Sequence, residues 1–208
     1  MSKLGPIEPR RREGEESFHD GQCLLDFDVL GFWQWCSSDL VSNATRGVLA
    51  EYLVAHALGI AESGIREEWA AYDLKAPDGT RIEVKSAAYI QSWHQDRLSQ
   101  IVFRVPKTRA WDKETNQQSE DPRRQADVYV FALLAHTDQQ SIDPMDLSQW
   151  EFFVAPTIAL DARKRSQQSI TLPSLRNLPG KSVPFSGLRK AIEEAGKSQR
   201  ELADEERR

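Results

Sequence analysis

The run ADVYVFALLAH, residues 126–136, is apolar at nearly every position, the pattern of a strand covered on both faces. A strand of that kind needs a layer above it and a layer below it, so the rest of the chain must supply both. SNATRGVLAEYLVAHALGI, from residue 42, reads as the clearest helix, with Ser42 or Asn43 as N-cap and Gly59 as a stop. EWAAYDLKA and RIEVKSAAYI read as a hairpin, IVFRV at 101–105 as a third strand and QWEFFVAP at 149–156 as another. TIALDARKR suggests a short helix, SITLPSL a short edge element, and the stretch from FSGLRKAIEEAG a terminal helix. Helix, then strands, then mixed elements imply an α/β domain with a mixed central β-sheet flanked by helices.

A chain of 208 residues, 39% hydrophobic with six Trp, is expected to form one domain over 21–195. Residues 1–20 read as a disordered leader and 196–208 as a charged helical tail. LLDFDVLGFWQWCSSDL, from residue 24, reads as a packed helical segment, and KTRAWDKETNQQSEDPRRQ, from residue 107, as a long surface loop. Cys23 and Cys36, without a CxxC pair or His cluster, read as reduced, partly buried thiols. No apolar run approaches the roughly 20 residues of a membrane span, and the N-terminus lacks a signal-like apolar stretch. A cytoplasmic protein without a membrane partner is expected.

Charge divides along the chain. Residues 13–96 hold 15 Asp/Glu against 5 Lys/Arg, and residues 97–190 hold 10 against 14. An acidic half able to hold a cation, followed by a basic half able to meet phosphates, suits an enzyme acting on a polyanion; chance unevenness is the plainer alternative.

The most informative local feature is DLKAPDGTRIEVKSA, residues 73–87. Pro77 suits a type I turn and Gly79 the left-handed position after it, a register that sets Asp73 opposite Glu83. Two carboxylates facing each other across strands repel, so positive charge belongs between them. Strand alternation puts Glu83 and Lys85 on one face, and Ile82 and Val84 on the other. Lys75 and Arg81 could neutralise the carboxylates as a solvated ion ladder. A divalent ion fits equally: Mg²⁺ or Mn²⁺ would take Asp73, Glu83 and the Val84 backbone carbonyl as oxygen ligands. Lys85 would then orient water and offset charge during attack on a phosphodiester.

The helix adds a third carboxylate. From Val48 to Leu58, Glu51 is the sole formally charged side chain in an otherwise apolar helix, so it needs a cation, either Arg46 or another basic side chain, or a shared metal, directly or through water. His56 on the same helix reads as a core or boundary residue.

Glu51, Asp73 and the Glu83-Val84-Lys85 triplet together resemble the PD-(D/E)xK nuclease superfamily, the restriction-endonuclease-like fold. The resemblance spans about residues 43–91, with ADVYVFALL as a later core strand. It implies an αβββαβ-type core and Mg²⁺-dependent phosphodiester cleavage, with Asp73 and Glu83 as metal ligands and Lys85 as the catalytic lysine. Glu51 would be the helix carboxylate seen in many members. Tyr72 stands where the superfamily's name has Pro, and the literal Pro77-Asp78 pair lies at the turn tip, where Asp before Gly is an ordinary turn residue. Gln91, of the same strand parity as Lys85, is an auxiliary candidate. Arg104, Lys107, Arg109, Arg123 and Arg124 are candidate phosphate contacts, and Trp93 and Trp111 candidate stacking platforms. The expected partner is nucleic acid, DNA before RNA; a homodimer, common among such nucleases, is not fixed by these residues. The alternative expectation is a catalytically inactive nuclease-fold module that binds nucleic acid or protein.

Overall fold

The computed structural model describes residues 4, 5, 7–68, 70–112, 117–164, 166–178 and 182–205. Its centre is the strand β8 (Val128–Leu134), all seven residues of which are buried, as the apolar run requires. The strands before it are β1 (Ser17–Asp20), β2 (Cys23–Asp28), β3 (Leu74–Lys75), β4 (Arg81–Ala88), β5 (Val102–Arg104), β6 (Trp111–Asp112) and β7 (Gln117–Gln118); β9 (Trp150–Pro156) and β10 (Ser169–Thr171) follow it. The helices are α1 (Val29–Ser37), α2 (Asn43–Leu58), α3 (Thr157–Asp161), α4 (Leu172–Arg176) and α5 (Leu188–Glu205). The main sheet has the order β3-β4-β8-β9, with β4 and β8 parallel and the other neighbours antiparallel. It is the mixed sheet flanked by helices that the sequence implies.

Each face of this sheet has its own core. Ile82, Val84, Val128, Val130 and Phe152 meet Ala50, Leu53 and Val54 of α2 and Leu188 and Ile192 of α5. On the other face, Phe131, Leu133 and Phe153 meet Phe103 of β5, Ile170 of β10 and Leu160 of α3. IVFRV therefore forms a strand, but not a member of the main sheet: β5 pairs with β10 as a ribbon lying over the sheet. Its alternation explains this, since Phe103 is buried while Val102 and Arg104 are exposed.

Ser42 caps α2 by accepting from the Thr45 N–H, and Gly59 ends it at φ +75°, its N–H reaching the carbonyls of Ala55 and His56. The helix is not apolar all round in its setting: Val48, Tyr52 and His56 are exposed, and His56 stacks on Tyr52 at 6.1 Å. The segment expected to pack as one helix divides into β2 and α1 because Asp28 N-caps the helix, accepting from the Gly31 N–H. Ser17–Asp20, expected within the leader, pairs with β2. Cys23 and Cys36 lie on these elements and are exposed free thiols, not partly buried ones.

The main sheet is clamped where β4 and β8 begin. Asp127 accepts from the Arg81 backbone N–H at 2.9 Å and from its guanidinium at 3.0 and 2.6 Å. Burial alone would raise the Asp127 carboxyl pKa, but the Arg81 side chain and backbone N–H outweigh it and hold it below 3.8. A depressed carboxylate contributes stability above its unfolded pKa and loses that contribution as pH falls through the folded value. Asp127→Asn is therefore expected to cost about 1–2 kcal/mol at pH 7. In denaturant melts the gap to wild type should close below pH 3.8.

Candidate active site

The hairpin adopts the register its turn dictates. Gly79 sits at φ +87°, its N–H donates to the Ala76 carbonyl, and Ala76 donates back to Thr80. Leu74 lies opposite Ile82 and Lys75 opposite Arg81, and Asp73, expected opposite Glu83, lies one residue before the last paired position. Asp78 stays in the turn: its carboxylate accepts from the Thr80 N–H at 3.0 Å and faces Arg200 of α5 at 3.3 Å. The Thr80 backbone bond is the main reason its pKa lies below the usual range.

The ladder of β3 ends at Asp73, whose N–H donates to the Ile82 carbonyl. Its carboxylate then takes over the next rung, accepting from the Val84 N–H at 2.7 Å. The N–H and C=O of one strand residue leave the same edge, so the Val84 carbonyl also points to the side that Asp73 occupies. Lys85 donates to Glu83 at 2.5 Å. Burial raises the Glu83 pKa first of all; Lys85 pulls it back down, and the nearby charges of Asp73 and Glu51 push it up.

Asp73, Glu83 and Lys85 line one cleft of about 420 Å³ together with Arg104, Arg109, Trp111 and Tyr129. Glu51 lies elsewhere. It borders an adjoining groove of about 560 Å³ that meets the cleft at Asp73, and there Arg66 donates to both of its carboxylate oxygens, at 2.6 and 3.0 Å. That pairing holds the Arg66 pKa above its ordinary value. Glu51 thus has its cation in a basic side chain other than Arg46, and the groove that the pair borders is also lined by the hairpin carboxylate Asp73. Among the described residues, no three His, Cys, Asp or Glu side chains gather closely enough to hold a metal ion.

Two further expectations need correction. Gln91 follows the end of β4, so strand parity no longer governs it. It is buried, bonding the Ala88 carbonyl at 2.8 Å and facing Arg46 at 3.4 Å, and it does not line the cleft. Arg46 itself is buried against Ser86, Asn43 and the Val41 carbonyl. The Arg124 side chain is 0% exposed and pairs with Asp161; it also donates to the carbonyls of Val105 and Gln167. A guanidinium enclosed in this way ties β5 to α3 and has no route to a phosphate. Of the remaining basic candidates, Arg104 and Arg109 reach the cleft, Lys107 faces Asp161 at 3.4 Å, and Arg123 bonds Gln125 at 3.1 Å.

Tyr129 is a cleft residue that the sequence does not single out. It reads as one more apolar member of β8, yet it pairs in register with Glu83 and shares its face. Burial, and secondarily the Glu83 charge, raises its phenol pKa.

Residues 34–173 match the family model of bacteriophage T4 endonuclease IV. The chain belongs to this family. The matched span takes in the hairpin, α2, β8 and the whole cleft, and so brings the site within an endonuclease family; β1, β2 and α5 lie outside it. No curated protein matches the chain. No described helix is long and apolar enough to cross a membrane.

Proposed function

We propose that the chain is a metal-dependent endonuclease that hydrolyses phosphodiester bonds in DNA through a PD-(D/E)xK-type site. The observation that carries this reading is the meeting of Asp73, Glu83 and Lys85 in a cleft also lined by Arg104 and Arg109, in a chain of an endonuclease family. The donors suit a hard divalent ion, since Mg²⁺ commonly takes one or two carboxylates and fills its other positions with water and phosphate oxygens. Asp73, Glu83 and the Val84 carbonyl would hold Mg²⁺ or Mn²⁺. Bound there, the ion supplies Lewis acidity that polarises the scissile phosphate and makes water nucleophilic at neutral pH.

The chain's own residues do the rest. A buried carboxylate against a second one is costly as an anion, so Glu83 is set to accept a cation. Lys85 donates to the attacking water and offsets the negative charge that grows on the phosphate. Arg104 and Arg109 contact the backbone phosphates on either side. Glu51 and Arg66 form a neutral pair that borders the site without binding the ion.

Single- and double-stranded DNA incubated with the protein should be cut in Mg²⁺ and left intact in EDTA; cutting in EDTA would sink the metal reading. The expected rise in Tm on adding Mg²⁺ should persist in Glu51→Gln and vanish in Asp73→Asn. Loss of that rise in Glu51→Gln would return the helix carboxylate to the ligand set.

A further inference from the structure

Tyr129 is 4% exposed, and its ring packs among hydrocarbon. Phe131, two residues on along β8, lies 6.0 Å away, in the same core as Phe103 and Leu160. Phenylalanine would fill that space as well, so the hydroxyl is what needs explaining. A buried phenol normally finds a hydrogen-bond partner inside the protein. Other buried polar groups here do: Thr157 donates to the Ala126 carbonyl at 2.6 Å and the Trp150 indole to the Pro144 carbonyl at 2.9 Å. Gln125, which also lines the cleft, commits its amide to the Thr108 carbonyl and accepts from Arg123. Among the described residues the Tyr129 hydroxyl has no such partner. Nor does any fully buried side-chain nitrogen or oxygen among them go unpaired, so this oxygen reaches open space, and the space that Tyr129 borders is the cleft.

The cleft defines the acceptor. A phenol ionises only near pH 10 (about 10 for tyrosine), so at neutral pH it has a proton to donate. Glu83 stands opposite Tyr129 in the parallel ladder, on a strand roughly 4.8 Å away, but its carboxylate takes Lys85 and not the phenol. Arg104 and Arg109 line the same cleft and suit it to an anion. An uncharged donor beside them adds direction without adding charge.

We propose that Tyr129 is a substrate-contacting residue whose hydroxyl donates to a non-bridging oxygen of the phosphodiester held at Asp73 and Glu83. This assignment rests on the nuclease reading of the cleft. The bond strengthens as negative charge grows on that oxygen, and the phenol keeps its proton throughout.

The test is Tyr129→Phe, which deletes the hydroxyl and keeps the ring. Its Tm should match wild type, because the hydroxyl has no internal bond to lose, and the rise in Tm on adding Mg²⁺ should persist, because the phenol is not a metal ligand. The kcat/KM for DNA cleavage should fall roughly 10²-fold. Binding of a labelled oligonucleotide, followed by anisotropy in Ca²⁺, which takes the same oxygen ligands, and confirmed uncut on a gel, should weaken about 3–10-fold, the worth of one hydrogen bond. The slope of affinity against salt should stay as in wild type, since a neutral donor releases no counterion, whereas Arg104→Ala should flatten it. Wild-type binding and cleavage in Tyr129→Phe overturn the proposal. So does a Tm lowered by several degrees or a lost Mg²⁺ effect, since the hydroxyl would then serve the fold or the carboxylates. Should wild type bind DNA and cut none of it, the nuclease reading falls, while weaker binding by Tyr129→Phe would still uphold the contact and equal binding would end it.

Discussion

Lys85→Ala is expected to lower the turnover of DNA cleavage roughly 10²–10³-fold, the loss that follows removal of one preorganised donor from a developing negative charge. The effect should fall on kcat and on kcat/KM alike, because the ammonium acts chiefly on charge that exists only in the transition state. DNA binding, assigned in the proposal to Arg104 and Arg109, which line the cleft, should change little. A second consequence follows from the contact with Glu83. Lys85 lowers a carboxyl pKa that burial raises, so the variant should also need more Mg²⁺ for half-maximal activity. Lys85→Arg restores charge near Glu83 but brings a planar fork where a compact ammonium donates to one oxygen at 2.5 Å, so it should recover metal affinity better than turnover. Cleavage at the wild-type rate in Lys85→Ala would remove the lysine from the chemistry and leave it as the partner of a buried acid.

The hairpin is legible in the sequence because its signals are local. Pro77 and Gly79 fix the turn, the turn fixes the register, and alternation then places Glu83 beside Lys85. The buried strand at 128–134 is legible for a related reason, since only a strand covered twice tolerates seven apolar residues in succession. Glu51 shows where such reasoning stops. That an acid in an apolar helix needs a cation follows from its own desolvation cost, but which cation depends on how the chain after α2 brings Arg66 back to it, and nothing local encodes that approach. Gln91 departs from expectation because parity ends where the strand ends. Arg124 departs because a basic residue in a polar stretch looks the same in sequence whether its carbonyl partners lie around it or not. Residues 17–37 are a different case: their apolar residues read as packed because apolar residues usually are, whereas every residue of β1, β2 and α1 is exposed or half-buried.

Phe103→Ala is expected to destabilise the protein by about 3–5 kcal/mol, the usual cost of removing a buried phenyl ring. Phe103 is 2% exposed and meets Phe131 edge to face at 5.1 Å, the contact that presses β5 onto the buried strand. Against a typical total of about 5–15 kcal/mol, this is a large fraction, and Tm should fall by roughly 10 °C for a chain of this size. The neighbouring contacts cannot make up the loss. β5 is three residues long and, among the described residues, pairs with β10 alone, while the Arg124 clamp holds it at Val105, two residues further on. Arg104 follows Phe103 directly, so loosening the ring also loosens the phosphate contact assigned to the cleft. The variant, assayed well below its lowered Tm, should therefore show weaker DNA binding with the Mg²⁺-induced stabilisation intact, because Asp73, Glu83 and Val84 sit on the hairpin and not on this ribbon. A Phe103→Ala protein that melts like wild type would mean that β5 is not anchored through this ring. One that loses the Mg²⁺ effect while folded would mean that the ribbon, and not the hairpin alone, shapes the carboxylate pair.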